Sequence, residues 1–388
     1  MAHQAAGFAE SIEDFHEKAR KQTGFDDFGD PSYREGLEVL LQSLDEDPNL
    51  SPVGQAIYRE QIPNTLATRL RVERRLTEHP EVQDNPIARP IVITGLVRTG
   101  STALHYLMGQ DPDLQKLEYW LAAEPQPRPP RDQWEGHADF AAAVAELDFF
   151  YERTPDLMAV HEMKADWPEE CRHILEQNFT DDRHETAATL PRYYEWYHAS
   201  KHLGSYRRHK QVIQLIGMHD PGRRWLLKYP VHLRQLSALF DVYPDACVVQ
   251  THRDPRAVVA SYASFIARIR GVHQLDVDTA FVAREQMESW AHAAEAGMRF
   301  RDEHGSDRFF DLHFDDFMAD PIGCVKGIYS RFDQELSHKG ERLLRAWQED
   351  HPQGKHGRHE YARRDIGVSE REILERFGEY MERYDLTP

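Results

Sequence analysis

Short apolar runs and longer stretches with a helical period alternate along this chain, and the alternation predicts an α/β protein. The runs at 91–93, 225–227, 247–249 and 309–312 are rich in β-branched, aliphatic or aromatic residues, as buried strands are. A helical pattern follows each run. Strands and helices in that order predict a parallel sheet with crossover helices.

The N-terminal part of the chain, residues 1–85, is predicted to be mostly helical. Apolar residues recur at helical spacing over 33–44 and, beyond Pro63, over 66–76. We expect these helices to pack beside the sheet that begins at residue 91.

A second helical region interrupts the predicted sheet. Residues 132–215 carry many aromatic residues in a helical pattern, and a Pro- and Arg-rich loop at 124–131 separates them from the first strand unit. We predict a helical cap inserted between strands. A C-terminal helix begins at Ser369, which makes a capping box with Glu372 three residues on.

The chain is therefore predicted to be one α/β domain of 388 residues, with a central parallel sheet and an inserted helical cap. Its parts are an N-terminal helical segment (1–85), a phosphate-loop unit (90–125), the cap with the acceptor region (132–215), the second half of the sheet (222–335) and a C-terminal segment (336–388).

The loop after the first predicted strand has the composition of a phosphate cradle. Gly95 and Gly100 stand five apart between a strand and a helix, so backbone N–H groups and a helix N-terminus face the loop. Nucleotide triphosphatases carry a lysine after the second glycine. Here Ser101 occupies that position, and the cation of the loop is Arg98.

Two further clusters place cations at the ends of predicted strands. Lys228 ends the second run, and a buried lysine is costly unless it meets an anion. Arg253 follows the third run, and Ser261 lies about two helical turns further on the same face. The carboxyl ends of parallel strands form the ligand edge of an α/β sheet, which predicts that these residues lie near the phosphate loop. A structural alternative for Arg253 is an ion pair with Asp254 or Asp220.

Charge and composition disfavour several classes of partner and site. The formal net charge of −19 disfavours nucleic acid and anionic membrane surfaces as partners. No apolar run approaches the ~20 residues that span a bilayer, and the first 25 residues resemble an amphipathic helix rather than a signal peptide. Three distant cysteines and scattered histidines indicate neither disulfides nor a metal site. We expect a cytoplasmic protein without metal, and the sequence leaves a homo-oligomer open.

Taken together, the clusters resemble the PAPS-dependent sulfotransferases, where PAPS is 3′-phosphoadenosine 5′-phosphosulfate. The resemblance is to the broad bacterial branch, whose motifs GLPRSGTT, W-L-x-K-x-P-x-H and T-H-R-D-P match residues 95–102, 225–232 and 251–255 in order. It extends to the segments at 168–171 and 356–359. The departures within the loop, at Val97, Thr99 and Ser101, are mild.

The resemblance implies the three-layer fold of P-loop nucleotide-binding proteins, and it implies a role for each cluster. The loop would bind the 5′-phosphate and the sulfuryl group, and Lys228 would face the bridging oxygen or the sulfuryl group. Arg253 and Ser261 would hold the 3′-phosphate within the half at 222–335. The loop residues so implied are Gly95, Arg98, Thr99, Gly100, Ser101 and Thr102, and the residues implied to close over the 3′-phosphate side are His356, Gly357 and Arg358.

The general base is not settled by the resemblance, because Pro230 stands where the cytosolic animal enzymes carry their histidine. His161 is the first candidate, since related bacterial enzymes use a histidine in this cap region. Glu118, on the segment after the loop helix, is the second candidate. His232 is the third.

The implied function is transfer of a sulfuryl group to the hydroxyl of a small acceptor, which the aromatic-rich cap predicts to be hydrophobic or aromatic. Such a transfer requires in-line positioning and neutralisation of charge. One alternative is a P-loop kinase of a small molecule, which Ser101 at the lysine position disfavours. Another is a non-catalytic protein that binds PAP, adenosine 3′,5′-bisphosphate.

Overall fold

A computed structural model describes residues 6–153, 162–351 and 366–386. Within these residues, five parallel strands form one sheet in the order β2-β3-β1-β4-β5. The strands are β1 (Ile91–Gly95), β2 (Leu114–Lys116), β3 (Arg224–Lys228), β4 (Cys247–His252) and β5 (Phe309–His313). The predicted parallel sheet is confirmed.

Helices cover both faces of the sheet, which explains why its central strands are apolar without alternation. Every residue of β1 and β4 is buried. Ile91 and Ile93 pack into the core of one face, where Leu104 and Met108 lie. Val92 packs into the core of the opposite face, which the N-terminal helices and the cap share.

The helices precede, interrupt and follow the sheet. They are α1 (Ile12–Thr23), α2 (Tyr33–Glu46), α3 (Pro52–Glu78), α4 (Ser101–Met108), α5 (Tyr119–Ala123), α6 (Ala138–Arg153), α7 (Arg172–Leu175), α8 (Arg183–Ala187), α9 (Pro191–Ala199), α10 (Leu203–Ile216), α11 (Leu236–Val242), α12 (Pro255–His273), α13 (Thr279–His304), α14 (Phe314–Ala319), α15 (Pro321–Arg331), α16 (His338–Asp350), α17 (Glu370–Arg376) and α18 (Gly378–Arg383). Short 3-10 helices cover Ala9–Ser11, Pro80–Asp84, Arg131–Gly136, Glu176–Asn178 and Pro230–Gln235.

The inserted cap is confirmed and lies between β2 and β3. Its described residues form several helices rather than one long helical region. The predicted C-terminal capping box is also present, since Ser369 accepts from the Glu372 N–H and the Glu372 carboxylate accepts from the Ser369 N–H.

Two expectations about elements need correction. The helix predicted over 66–76 begins 14 residues earlier, because α3 continues through Pro63. Proline costs an interior hydrogen bond, but Pro63 is buried with Ile62 and Leu66, and packing of this long helix offsets the loss. The strand β2 was not predicted, since its three residues, Leu114–Lys116, are too few to carry a period. None of the helices in the described part of the chain is long and apolar enough to cross a membrane.

Candidate functional site

The residues singled out in the sequence meet at the carboxyl edge of the sheet. β1 lies between β3 and β4, so the three strand ends that carry the phosphate loop, Lys228 and Arg253 are side by side. Ile93 pairs with Lys228, and Gly95 pairs with Thr251. After β1 the chain adds β2 and β3 on one side of it, and then β4 and β5 on the other side. The strand order therefore reverses at β1, and α/β sheets bind ligands at the carboxyl edge of such a switch point.

The phosphate loop turns sharply at Gly95. Its backbone has φ +138°, and a Cβ atom there would lie 2.4 Å from the carbonyl oxygen of Thr251. Only glycine fits this approach to β4. The Thr99 hydroxyl donates to the Leu96 carbonyl at 2.6 Å and lies 2.6 Å from the Thr251 hydroxyl, so it is engaged in shaping the loop.

The loop leads directly into the N-terminus of α4. Gly100 is the residue before the helix, with φ +83°, and Ser101 and Thr102 are its first two residues. No side chain caps this end. The N–H groups of the first turn therefore face the loop, where the helix dipole favours an anion. Arg98 has φ +61°, a left-handed conformation that costs a non-glycine residue energy and is typical of functional loops.

Lys228 lies at the end of β3, and its side chain is only 2% exposed. Its ammonium Nζ donates to the Thr102 hydroxyl at 3.0 Å and forms an ion pair with Glu170. The sequence predicts that this lysine meets an anion, and in the structure the anion is the Glu170 carboxylate. The ion pair lies beside the first turn of α4.

Arg98, Arg253 and Ser261 lie in contact with one another. Arg98 Nε donates to the Ser261 hydroxyl at 3.1 Å, and Arg253 Nη1 donates to the carbonyl oxygen of Arg98 at 2.8 Å. Ser261 lies on α12, two turns from Arg253, as predicted. The phosphate loop and the predicted 3′-phosphate residues therefore form one continuous surface.

The carboxylates considered as structural partners of Arg253 are engaged by other arginines. Asp254 accepts from the Arg256 N–H at the start of α12 and pairs with the Arg256 guanidinium at 2.7 Å. Asp220 pairs with Arg223 at 3.2 Å.

Glu118 lies inside an ion pair rather than in an open cleft. Its carboxylate accepts from Arg128 Nη2 at 3.0 Å and from Nε at 3.1 Å. The two side chains are 6% and 9% exposed. This arrangement favours a structural role for Glu118, because a base must reach the acceptor hydroxyl.

His232 is fully buried. Its Nδ1 lies 2.6 Å from the Tyr206 hydroxyl, and its Nε2 has no hydrogen-bond partner in the part of the chain that the structure describes. Burial, with the nearby His209, lowers the pKa of His232 well below its usual value. A neutral, enclosed imidazole orients its surroundings rather than meeting an acceptor.

The residue before Glu170 is a second carboxyl group at this edge. Glu169 accepts the Glu170 N–H at 2.8 Å and is 5% exposed. Burial and the neighbouring Glu170 carboxylate raise the pKa of Glu169 to about 7. The following residue, Cys171, donates its N–H to the Lys228 carbonyl at 3.0 Å, which ties the Glu169–Glu170 segment to the end of β3.

Four predicted site residues, His161, His356, Gly357 and Arg358, lie outside the described residues. Among residues 6–153, 162–351 and 366–386, no group of three or more histidine, cysteine or acidic side chains is arranged to hold a metal ion.

Sequence reasoning missed Glu170 and Arg128 as members of this region. The segment at 168–171 was noted only as a motif. The available signal was the charge of Lys228, since a buried ammonium requires a carboxylate and this motif contains two adjacent acids. Arg128 was placed in a loop, which gave no reason to expect it to be buried.

Similarity to known proteins was found at the level of both sequence and structure. A model of the sulfotransferase family matches residues 90–338, more than half of the chain. The crystal structure of sulfotransferase STF1 from Mycobacterium tuberculosis has 34% sequence identity and a TM-score of 0.88, over 96% of this chain and 100% of that one. Sulfotransferase STF9 from Mycobacterium avium has 27% identity and a TM-score of 0.88, over 97% of each chain. The search of curated proteins gave no match.

Proposed function

Because the chain belongs to the sulfotransferase family, we propose that it transfers the sulfuryl group of PAPS to a hydroxyl of a small acceptor. The observation that carries the proposal is the single surface formed by the phosphate loop, Lys228, Arg253 and Ser261 at the carboxyl edge. It offers two anion-binding regions in contact, and PAPS differs from adenosine 5′-phosphosulfate by a second phosphate at the 3′ position.

The 5′ side of the donor would bind at the phosphate loop. N–H groups from the first turn of α4 would receive the 5′-phosphate, and the loop glycines allow the close backbone approach. Ser101 replaces the lysine of the nucleotide triphosphatases here, so the positive charge comes from Lys228 on the neighbouring strand. Arg253 and Ser261 would bind the 3′-phosphate, with Arg98 between the two sides.

Sulfuryl transfer would proceed in line. The acceptor oxygen forms a bond to sulfur while the bond from sulfur to the bridging oxygen breaks, and PAP leaves with that electron pair on its phosphate. Lys228 would neutralise the charge that develops on the bridging oxygen, with Thr102 holding the ammonium group in place at 3.0 Å. A lysine buried at the strand end is suited to this role because water screens its charge little.

The acceptor proton must pass to a base, and Glu170 is the described residue best placed to take it. Its carboxylate contacts the Lys228 ammonium, which puts a proton acceptor beside the group that faces the leaving oxygen. Its side chain is 21% exposed, so it is open to an acceptor in a way that Glu118 and His232 are not. His161 stays a prediction, as do the residues at 356–358, because they lie outside the described residues.

The acceptor is proposed to be a small hydroxyl compound that approaches from the side of the cap. Several cap aromatics, among them Tyr193, Tyr197 and Trp134, are buried and build the core of the cap. Trp167 and Tyr106 lie nearer the Glu169–Glu170 segment, with ring centroids 5.0 Å apart. Aromatic surface beside the carboxylates supports an acceptor with a hydrophobic or aromatic body.

Ligand-induced thermal shifts test the donor. PAP is expected to raise the melting temperature by several degrees when present well above its dissociation constant, and ATP with Mg²⁺ is expected to raise it less. Arg253→Ala should remove most of the PAP shift, measured relative to the melting temperature of the free variant, which lacks the contacts of Arg253 with Arg98 and Phe314. A larger shift with ATP and Mg²⁺ than with PAP would favour the kinase alternative and contradict the proposal.

Transfer of labelled sulfate from PAPS to a panel of alcohols and phenols tests the reaction itself. We expect the native protein to transfer sulfate and the Lys228→Met variant to have lost this activity. A native protein that binds PAP but transfers sulfate to no member of a broad panel would favour the non-catalytic alternative.

A further inference from the structure

The side chain of Phe314 lies against the guanidinium group of Arg253. The guanidinium carbon is 4.0 Å from the ring centroid, the distance of a close cation–π contact. Phe314 is the first residue of α14 and is only partly buried, although it is aromatic.

The two residues meet because of the strand register. β4 and β5 are paired up to His252 and His313, so the next residues, Arg253 and Phe314, leave two adjacent strand ends together. His252 is itself fixed, with Nε2 2.8 Å from Asp311 Oδ1 and Nδ1 2.9 Å from the Tyr380 hydroxyl. The position of Arg253 relative to the ring is therefore set by the sheet.

The same ring also underlies the phosphate loop. A Cβ atom on Gly100 would lie 3.1 Å from Cδ2 of Phe314, so the ring is packed against the last residue of the loop. The Arg253 guanidinium that lies over the ring also donates to the Arg98 carbonyl of the loop at 2.8 Å. Phe314 thus contacts the arginine and the loop at the point where they join.

We propose that Phe314 is a positioning residue that holds the Arg253 guanidinium in the orientation needed to bind the 3′-phosphate of the donor. The inference rests on the proposed function, which assigns the 3′-phosphate to Arg253. A free arginine side chain has many rotamers and must lose them on binding. A flat aromatic face and a carbonyl acceptor together select one guanidinium plane before the ligand arrives, so less of the binding free energy is spent on ordering the side chain.

This role makes Phe314 a determinant of donor selectivity rather than of nucleotide binding in general. A ligand with a 3′-phosphate uses the oriented guanidinium, whereas adenosine 5′-monophosphate (AMP) lacks the group that Arg253 would contact. Loss of the ring should therefore lower the affinity for PAP and leave the affinity for AMP nearly unchanged.

Titration calorimetry of the full chain with PAP and with AMP tests the inference. Phe314→Leu, which keeps an apolar side chain without a π face, should weaken PAP binding about threefold to tenfold and change AMP binding by less than about twofold. Phe314→Tyr keeps the ring and should retain the native ratio of the two affinities. Phe317→Leu is the matched control, because Phe317 is a buried phenylalanine of the same helix that also lies near Gly100.

The outcomes separate this inference from the proposed function. If the native protein binds PAP no better than AMP, the assignment of Arg253 is wrong and the proposed function fails with it. If the native protein prefers PAP and Phe314→Leu keeps that preference, or weakens both ligands equally, the positioning role is wrong and the proposed function stands. Phe314→Met, whose flexible side chain fills similar space, provides the same comparison if the leucine variant does not fold.

Discussion

Buried Lys228 and partly exposed Glu170 form an ion pair at the carboxyl edge of the sheet. A lysine that is 2% exposed must be paired, because an isolated buried charge costs several kcal/mol. The pair is therefore expected on energetic grounds alone. Its location beside Thr102 and the N-terminus of α4 is what gives it a chemical use, since a donor phosphate placed there would contact the same ammonium group.

Glu170→Gln distinguishes these two roles of the pair. If Glu170 accepts the acceptor proton, kcat for sulfate transfer should fall by about 10²- to 10⁴-fold, while the dissociation constant for PAP changes by no more than a few-fold. Glu169→Gln is the control, because Glu169 receives the Glu170 N–H instead of contacting Lys228. Equal losses of kcat in the two variants, or a loss confined to PAP affinity, would show that Glu170 is not the base.

A strand of the sheet was predictable from the sequence where its own residues form an apolar run followed by a recognisable loop. β1 and β4 each begin with an apolar run, at 91–93 and 247–249, and lead into a glycine loop and an Arg-Asp-Pro turn, and these features predict both strands. β2 is three residues long, and it is a strand because its residues 114–116 pair in parallel with β3. Such a strand is defined by its partner, and no local pattern marks it.

The same distinction applies to the candidate site. Gly95, Lys228 and Arg253 were predictable because strand ends share one edge of a parallel sheet. Glu170 and Arg128 were not, because their partners lie 58 and 10 residues away and belong to other elements. Glu118 illustrates this limit. From the sequence, a carboxylate after the loop helix is a reasonable general base, but in the structure its carboxylate is paired with Arg128.

The pair of Glu118 and Arg128 connects two elements, the start of α5 and the loop that leads into the cap, and its removal should act on stability. Glu118→Gln removes the nearer counterion of a buried guanidinium and leaves only Asp220 at 4.0 Å among the carboxylates that the structure pairs with it. We expect the free energy of unfolding to fall by about 2–4 kcal/mol in urea denaturation. PAP affinity should stay within about twofold of the native value. Arg128→Met is the matched variant, and a double mutant should lose less than the sum of the two single changes. A Glu118→Gln variant with native stability and greatly reduced kcat would instead make Glu118 the base.

At the scale of the whole molecule, carboxyl groups with raised pKa values favour the folded state at low pH, in the same direction as the net charge of an acidic protein. The net charge of −19 means that acidification relieves repulsion, and ion pairs with lowered carboxyl pKa values oppose that gain. Glu169 has a folded pKa of about 7, above its ordinary value of 4.5, because burial favours the neutral form. The folded state therefore holds a proton that the unfolded state has released, and the stability from Glu169 is complete below pH 4.5 and is lost as the pH rises through 7.

Glu169→Gln isolates the pH-dependent stability that comes from Glu169, because charge repulsion and the other ion pairs are nearly the same in the variant and the native protein. The glutamine oxygen still accepts the Glu170 N–H, so the backbone contact at 2.8 Å is retained. We expect the variant to gain stability relative to the native protein as the pH rises from about 4 to about 8, by up to about 3 kcal/mol, measured by urea denaturation at each pH. Glu135→Gln, at an exposed position, controls for the loss of one negative charge and should run parallel to the native profile. Parallel profiles for Glu169→Gln and the native protein would mean that Glu169 ionises as an ordinary surface carboxyl group, and that the edge beside Lys228 is wetter than its burial implies.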